Sequence, residues 1–232
     1  MISFDDLTFH LDLSKKIYVG YSGGPDSSAL LHLLHINNIS NVEAIHINHN
    51  LSDNSLKWEE HCRKTTNKLG IKCHVDSIDI KLDGDGLESA ARKARYKIFA
   101  KYLKKNEQIL LGHHSDDVAE TFLLRLFRGT GLDGLESLSV KRKVGEGYLV
   151  RPLINLSKKN ILIYLKEQEI SFVKDESNFK EDQDRNYVRN TLIPSIEQRW
   201  ANVTSRISNT ANFIKIRNCL LYTSDAADDR GC

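Results

Sequence analysis

Residues Ile17-Tyr18-Val19-Gly20-Tyr21 run directly into Ser22-Gly23-Gly24-Pro25-Asp26-Ser27, and these into Ala29-Leu30-Leu31 and Leu33-Leu34. An apolar run, a double glycine and a helical apolar pattern, in that order, specify a strand, a tight turn and a helix start. With no Cβ in the way the backbone can turn sharply, so successive N–H groups converge on one anion beside the positive end of the helix dipole. Such a nest suits phosphate. A plain connection with Ser or Asp as N-cap is the simpler reading of small polar residues here. Two hydroxyls flanking the glycines, and an acid after them, go beyond what a connection requires.

The same alternation continues along the chain. Lys15–Tyr21, Val42–Ile47, Ile71–Ile80 and Gln108–Gly112 read as strands, and Asp26–Asn37, Asn54–Leu69, Leu87–Lys105 and Asp116–Arg128 as helices. The expected fold is α/β, a Rossmann-like parallel sheet with helices on both faces, whose ligands lie at the carboxyl ends of the strands. Beyond Leu153 the β signal fades. Ser157 is the expected N-cap of a helix over Lys158–Glu169, and Arg185–Arg199 and Asn202–Arg217 are further helices around a polar loop, Asp175–Asp184. The expected organisation is therefore an α/β core over 1–150 and a helical extension over 151–217. Residues 219–232 carry neither period, break off the preceding helix, and read as a non-native tail from 218 onward.

With 232 residues, 40% apolar and 28% charged, the chain can bury one good core. It contains no eighteen-residue apolar run and no basic, apolar leader, so neither a membrane span nor a secretory signal is expected, and a cytoplasmic location is. The cysteines, Cys62, Cys73, Cys219 and Cys232, form no C-x-x-C, which argues against zinc and against a disulfide scaffold. A net charge of +2 does not announce a nucleic-acid partner. Basic residues are concentrated in Arg92, Lys93, Arg95, Lys97, Lys101, Lys104 and Lys105 of one helix and in a loop, Lys141-Arg142-Lys143. Taken alone, that run reads as a solvated face.

No lysine follows the glycines as the G-x-x-x-x-G-K-[ST] loop would require. A cradle rich in N–H and O–H donors instead suits the pyrophosphate that leaves when ATP is attacked at its α-phosphorus. The stretch resembles the SGGxDS signature of the ATP-pyrophosphatase superfamily. Asp26, among phosphates of its own sign, is then expected to hold Mg²⁺.

A second site follows at another strand end, Gly112-His113-His114-Ser115-Asp116-Asp117-Val118-Ala119-Glu120-Thr121. Ser115 as N-cap with acids in the first turn is ordinary capping. Two histidines and Glu120 are not. Asp117 and Glu120, three apart, share a helix face and can offer carboxylates to a cationic substrate. Metal binding by His113, His114 and Asp117 ranks below this, because adjacent histidines on a strand point to opposite sides.

With Ala91-Arg92-Lys93-Ala94-Arg95-Tyr96, Arg128-Gly129-Thr130-Gly131-Leu132-Asp133-Gly134-Leu135, Val150-Arg151-Pro152-Leu153, Asp175-Glu176-Ser177-Asn178 and Asp184-Arg185-Asn186, the chain resembles the tRNA(Ile)-lysidine synthetase family over roughly 13–217. The resemblance implies ATP-dependent ligation of free L-lysine to C2 of the wobble cytidine of tRNA(Ile) with a CAU anticodon, through an adenylylated cytidine. It implies that Ser22, Gly23, Gly24, Pro25, Asp26 and Ser27 bind ATP, that Asp117 and Glu120 take lysine, and that Asp117, His113 and Arg95 serve catalysis. Arg92, Arg128, Arg185 and Arg189 are candidate tRNA contacts, and a homodimer is compatible with it. Where the family shows Asp-His-x-Leu-Arg this chain has Asn48-His49-Asn50-Leu51-Ser52, so an acid and an arginine are replaced. His49 is as consistent with a structural role as with a functional one. The family's C-terminal tRNA-binding domains are expected to be absent. Two other readings stay open: a tRNA thiolase, which needs a reactive cysteine at the site, and a nucleotide-binding module without catalysis.

Overall fold

The computed structural model describes residues 7–49, 54–78, 87–173 and 184–228, without the side chains of 87, 88 and 221–228. Among them six strands form one sheet: β1 (Ile17–Gly20), β2 (Val42–Asn48), β3 (Lys72–Ser77), β4 (Gln108–Leu110), β5 (Lys141–Val144) and β6 (Gly147–Val150). Their order is β3-β2-β1-β4-β6-β5, every neighbouring pair being parallel except the β5–β6 hairpin. Helices α1 (Pro25–Ile36), α2 (Ser55–Lys68), α3 (Leu87–Tyr102), α4 (Ser115–Phe127) and α5 (Lys158–Glu167) follow strands or the hairpin. Also described are α6 (Asp184–Tyr187), α7 (Ile193–Arg199) and α8 (Val203–Asp228), with a π-helical turn, Val188–Leu192, between α6 and α7 and a 3-10 turn over Leu132–Leu135.

Period-two alternation divides the strand side chains between two cores. Ile17, Val19 and Tyr21 pack with Ala44, Leu110 and Val150 against Leu30, Leu31 and Leu34 of α1, Cys62 of α2, and Ile161 and Leu165 of α5. Tyr18, Ile45, Ile109, Leu111 and Leu149 point the other way, onto Ile98, Phe99 and Leu103 around α3. Burying each such large apolar side chain stabilises the fold by about 1.5–3 kcal/mol. Gly20 leaves room for this second layer, since a Cβ there would lie 2.6 Å from Leu111 Cδ2 and 3.2 Å from Phe99 Cζ.

The chain divides into two compact units, Met1–His113 with Val140–Lys174, and His114–Ser139 with Asp175–Cys232. The expected helical extension from 151 is thus shared out. Helix α5 packs on α1 in the sheet unit, Ser157 capping it by accepting from Asn160 N–H at 3.2 Å. Helix α4 packs on α8 in the other unit, where Leu123, Val188 and Ile193 form a small core.

Three local expectations need correction. Lys141-Arg142-Lys143 is not a loop but edge strand β5; its side chains are exposed and charged, as edge strands that resist further pairing are, so no apolar alternation betrays it. Ser115 is not the N-cap of α4: His114 takes that position, its N–H donating to Asp117 Oδ2 at 3.0 Å. The helix begun at Val203 does not stop before Cys219 but runs to Asp228, through leucine and alanine that favour helix. Residues 50–52 of the Asn48–Ser52 motif, 79–80 of the strand expected to end at Ile80, 175–183 of the polar loop with its Asp175–Asn178 motif, and 229–232 of the tail lie outside the described residues.

Candidate active site

In the order β2-β1-β4 the chain leaves β1 toward one side and reaches β4 on the other, so the carboxyl ends of β1 and β4 flank a topological switch point, where open α/β sheets bind ligands. The glycine turn follows β1, and Gly112-His113 follows β4. Their approach is close: a Cβ on Gly112 would lie 2.9 Å from the Asp26 carbonyl carbon.

Gly23 adopts φ +79°, the left-handed region that glycine enters without penalty. Its carbonyl is held inward, accepting from Val173 N–H at 2.8 Å and from the Ser28 hydroxyl at 3.3 Å. Pro25 occupies the first turn of α1, where its missing N–H is harmless, and Gly24 is the N-cap. Ser22 and Ser27 close the loop over this helix start: their hydroxyls are 3.2 Å apart, Ser22 N–H donates to Ser27 Oγ at 3.3 Å, and Gly24 N–H to Ser22 Oγ at 3.3 Å. The first amides of a helix have no intrahelical acceptor. The turn is therefore a preformed cradle of donors.

Asp26 pairs with Lys158 Nζ at 2.5 Å. The cradle that lacks a lysine in sequence thus meets one at the start of α5. The residue was invisible to motif reading; its nearest signal is its place directly after the N-cap Ser157, five residues past Leu153. One carboxylate beside a phosphate cradle is the donor set that suits Mg²⁺, which uses one or two carboxylates plus substrate phosphates. No cluster of three or more acidic, histidine or cysteine ligands occurs among the described residues.

Around the end of β2, His46 Nδ1–H donates to Tyr21 O at 2.9 Å. Burial, then Arg95 and His46, lower His49 to about 4, so it is neutral and stands close to Arg95. Cys62 lies beneath the cradle, its Sγ 3.0 Å from where a Gly23 Cβ would be. Burial pushes this thiol up, away from the thiolate that sulfur transfer needs. In sequence Cys62 falls within the helix over Asn54–Leu69, next to none of the motifs.

His113 receives a hydrogen bond at Nδ1 from Arg151 Nε, 3.2 Å away. Arg151 is 2% exposed. Arg142 and Arg92 stack on the ring of Tyr96, their guanidinium carbons 4.4 and 5.3 Å from its centroid. Burial, with these two cations, lowers the Arg151 pKa, and Tyr96 works against them.

In the second unit Asp117 and Glu120 lie on one face of α4, 8% and 2% exposed. Arg189 grips Glu120 in a two-pronged pair, Nε to Oε1 at 2.6 Å and NH2 to Oε2 at 2.8 Å. Arg185 bridges the acids, Nε to Glu120 Oε2 at 2.9 Å and NH2 to Asp117 Oδ1 at 3.2 Å. Arg189 stands on the π-helical turn, a local irregularity often found at functional sites. The family resemblance offers these arginines as tRNA contacts, whereas their partners in the structure are the two acids. Arg128 is exposed, 3.7 Å from Asp184. Gly129 ends α4 at φ +70°, and Gly134 leaves room for Thr130, whose Oγ1 occupies the space of a Cβ.

A mostly parallel sheet with a glycine cradle at its switch point, and no lysine within the glycine motif itself, defines a nucleotide-binding α/β domain. The chain belongs to the PP-loop domain family, which it matches over residues 4–196. It is similar to proteins named tRNA(Ile)-lysidine synthase: 39% identical over 206 residues to that of Coxiella burnetii, 41% over 199 to that of Legionella pneumophila (strain Paris), and 38% over 216 to that of Pseudomonas syringae pv. tomato. These matches cover 87%, 85% and 91% of this chain and 46%, 46% and 48% of the relatives. The chain thus spans about half the length of the curated relatives it matches. Among solved structures, the U34-tRNA thiolase NcsA of Methanococcus maripaludis shares the fold, with a TM-score of 0.69 and 19% identity over 90% of this chain and 76% of that one. No helix among the described residues is long and apolar enough to cross a membrane.

Proposed function

We propose that this chain ligates free L-lysine to C2 of the wobble cytidine of tRNA(Ile) with a CAU anticodon, at the expense of ATP. The observation that carries this reading is the buried Asp117–Glu120 pair, already neutralised by side-chain cations: a face that accepts two guanidinium groups suits an amino acid's ammonium. The arginines there are equally suited to a substrate carboxylate. Similarity to relatives named for lysidine formation supports the same conclusion.

In the first step the cytidine C2 oxygen attacks the α-phosphorus of ATP, and pyrophosphate leaves. The amides after Gly23, with the Ser22 and Ser27 hydroxyls, hold the departing group as its charge grows. Asp26 would hold Mg²⁺, which when bound offsets phosphate charge; Lys158, its present partner, is placed to face the phosphates instead. In the second step the ε-amine of lysine attacks C2, AMP leaves with the C2 oxygen, and the amine gives up a proton. That amine has an ordinary pKa near 10.4, so a carboxylate of the pair, with Asp117 foremost, orients it and helps remove the proton. His113 and Arg95 line the reaction centre. Arg92 and Arg128 contact tRNA phosphates, and Arg185 and Arg189 exchange their acids for substrate groups as lysine and tRNA arrive.

Incubation with ATP, Mg²⁺, radiolabelled lysine and the CAU-anticodon tRNA tests the proposal. Label is expected in the tRNA, and only with ATP present. Label independent of ATP, or transfer of sulfur in its place, defeats it. The thiolase reading is disfavoured by the buried, raised thiol of Cys62. ATP binding with no response to lysine would leave a nucleotide-binding module.

A further inference from the structure

Arg151 has no part in the chemistry above, yet it is among the most deeply buried charged side chains described, and its Nε points at a ring nitrogen of His113. Arginine carries donors only and stays protonated in proteins. Nδ1 of His113 must therefore be the acceptor, and a neutral imidazole that accepts at Nδ1 carries its hydrogen at Nε2. A second ring proton at Nδ1 would set donor against donor and cation against cation across 3.2 Å. Nor is Arg151 free to swing away, because it lies buried beside Tyr96, whose ring also carries Arg92 and Arg142.

We propose that Arg151 is a positioning residue that fixes His113 as a neutral Nε2–H tautomer, so that His113 donates a hydrogen bond to an oxygen gaining negative charge on the adenylyl group and does not act as the base for lysine. The proposal rests on the reaction assigned above, but the tautomer does not. It divides the labour of the reaction: proton removal falls to the carboxylates, and charge stabilisation to His113.

Two measurements test it on the full chain. In a long-range ¹H–¹⁵N spectrum of the labelled wild type, with His113 assigned by the signal lost in His113→Gln, Nδ1 should resonate as an unprotonated, pyridine-type nitrogen and Nε2 as a protonated, pyrrole-type one. Arg151→Met should move both signals toward the average of exchanging tautomers, and Arg151→Lys should restore part of the difference. In lysidine formation, His113→Gln, which keeps an N–H where Nε2 stood, should retain more kcat than His113→Glu, which offers only acceptors. Arg151→Met should lower kcat by about a hundredfold, the usual cost of one misdirected oxyanion donor, with the KM for lysine nearly unchanged. A wild-type spectrum showing hydrogen on Nδ1 overturns the tautomer, whatever the activity. His113→Glu matching or exceeding His113→Gln overturns the donor role.

Discussion

The glycine cradle and the acid pair each sit where a helix begins, yet they are stabilised by opposite means. Around Gly23 the bonds are almost all neutral: a carbonyl held by an amide and a hydroxyl, two serines closing on each other, and histidines kept uncharged by burial. Around Glu120 they are ionic: two buried carboxylates held by Arg185, 18% exposed at the side chain, and by Arg189, 36% exposed. Neutral hydrogen bonds exchange for those of water and contribute about 1 kcal/mol each, so a cradle made of them depends on shape. Buried charges have paid a desolvation cost that only their partners offset, so a cluster made of them depends on every member. An anion can therefore enter the cradle without dismantling it. A cation entering the acid pair must compete with the arginines already there.

That contrast breaks first at the acids. Glu120→Gln and Asp117→Asn should each abolish lysine incorporation in the tRNA labelling assay while ATP affinity, read by equilibrium titration, stays within about twofold. Glu120→Ala should in addition lower the unfolding free energy in urea by about 3 kcal/mol, the usual loss when one partner of a buried pair is removed. Equal loss of ATP binding in both carboxamide variants would show that the acids serve the nucleotide and that the two regions are not separate in function.

The cradle comes next. Gly23→Ala imposes a side chain at φ +79° and brings its Cβ to 3.0 Å from Cys62 Sγ and 3.4 Å from both His61 Cδ2 and Val173 Cγ2. The expected cost is about 1–2 kcal/mol in thermal unfolding. ATP affinity should fall tenfold or more, because the carbonyl held by Val173 and Ser28 must turn. Unchanged ATP binding in a folded Gly23→Ala protein would mean that the donors of this turn do not receive the nucleotide.

How far each region was legible from sequence follows from the same contrast. The cradle is written within six consecutive residues, because a strand, two glycines and a proline at a helix start are local instructions. Four of the six strands were legible for the same reason, their apolar residues sorting by parity between two cores. The hairpin was not: β5 is Lys141-Arg142-Lys143-Val144, and a charged edge strand leaves no periodic trace, although Gly145 and Gly147 around its turn were a signal. The acids themselves were legible from their three-residue spacing. Their partners Arg185 and Arg189, more than sixty residues away, were visible only as arginines in search of an anion. Lys158 escaped likewise, since Asp26 lies 132 residues earlier. Local geometry is encoded locally, whereas an ion pair between distant elements carries no spacing rule.

Lys158 is also where the smallest effect and the sharpest distinction are expected. Its pair with Asp26 is ionic like those of the acid cluster, but where Glu120 is 2% exposed both Lys158 and Asp26 are open to water, at 31% and 28%, so solvent screens the attraction and either ion can be hydrated when the other is gone. Lys158→Met should therefore change apo stability by less than about 1 kcal/mol, well below the change for Glu120→Ala. Its effect should appear with nucleotide. An ammonium next to phosphates contributes to their binding, so the Kd for ATP with Mg²⁺ should rise several-fold, and the Mg²⁺ needed for half-maximal binding should fall because Asp26 no longer has a competing cation. A large loss of apo stability would place Lys158 among structural pairs of the Glu120 kind. A Mg²⁺ requirement that does not move would remove Asp26 from the metal's coordination, leaving the cradle's hydroxyls and amides to hold the phosphates alone.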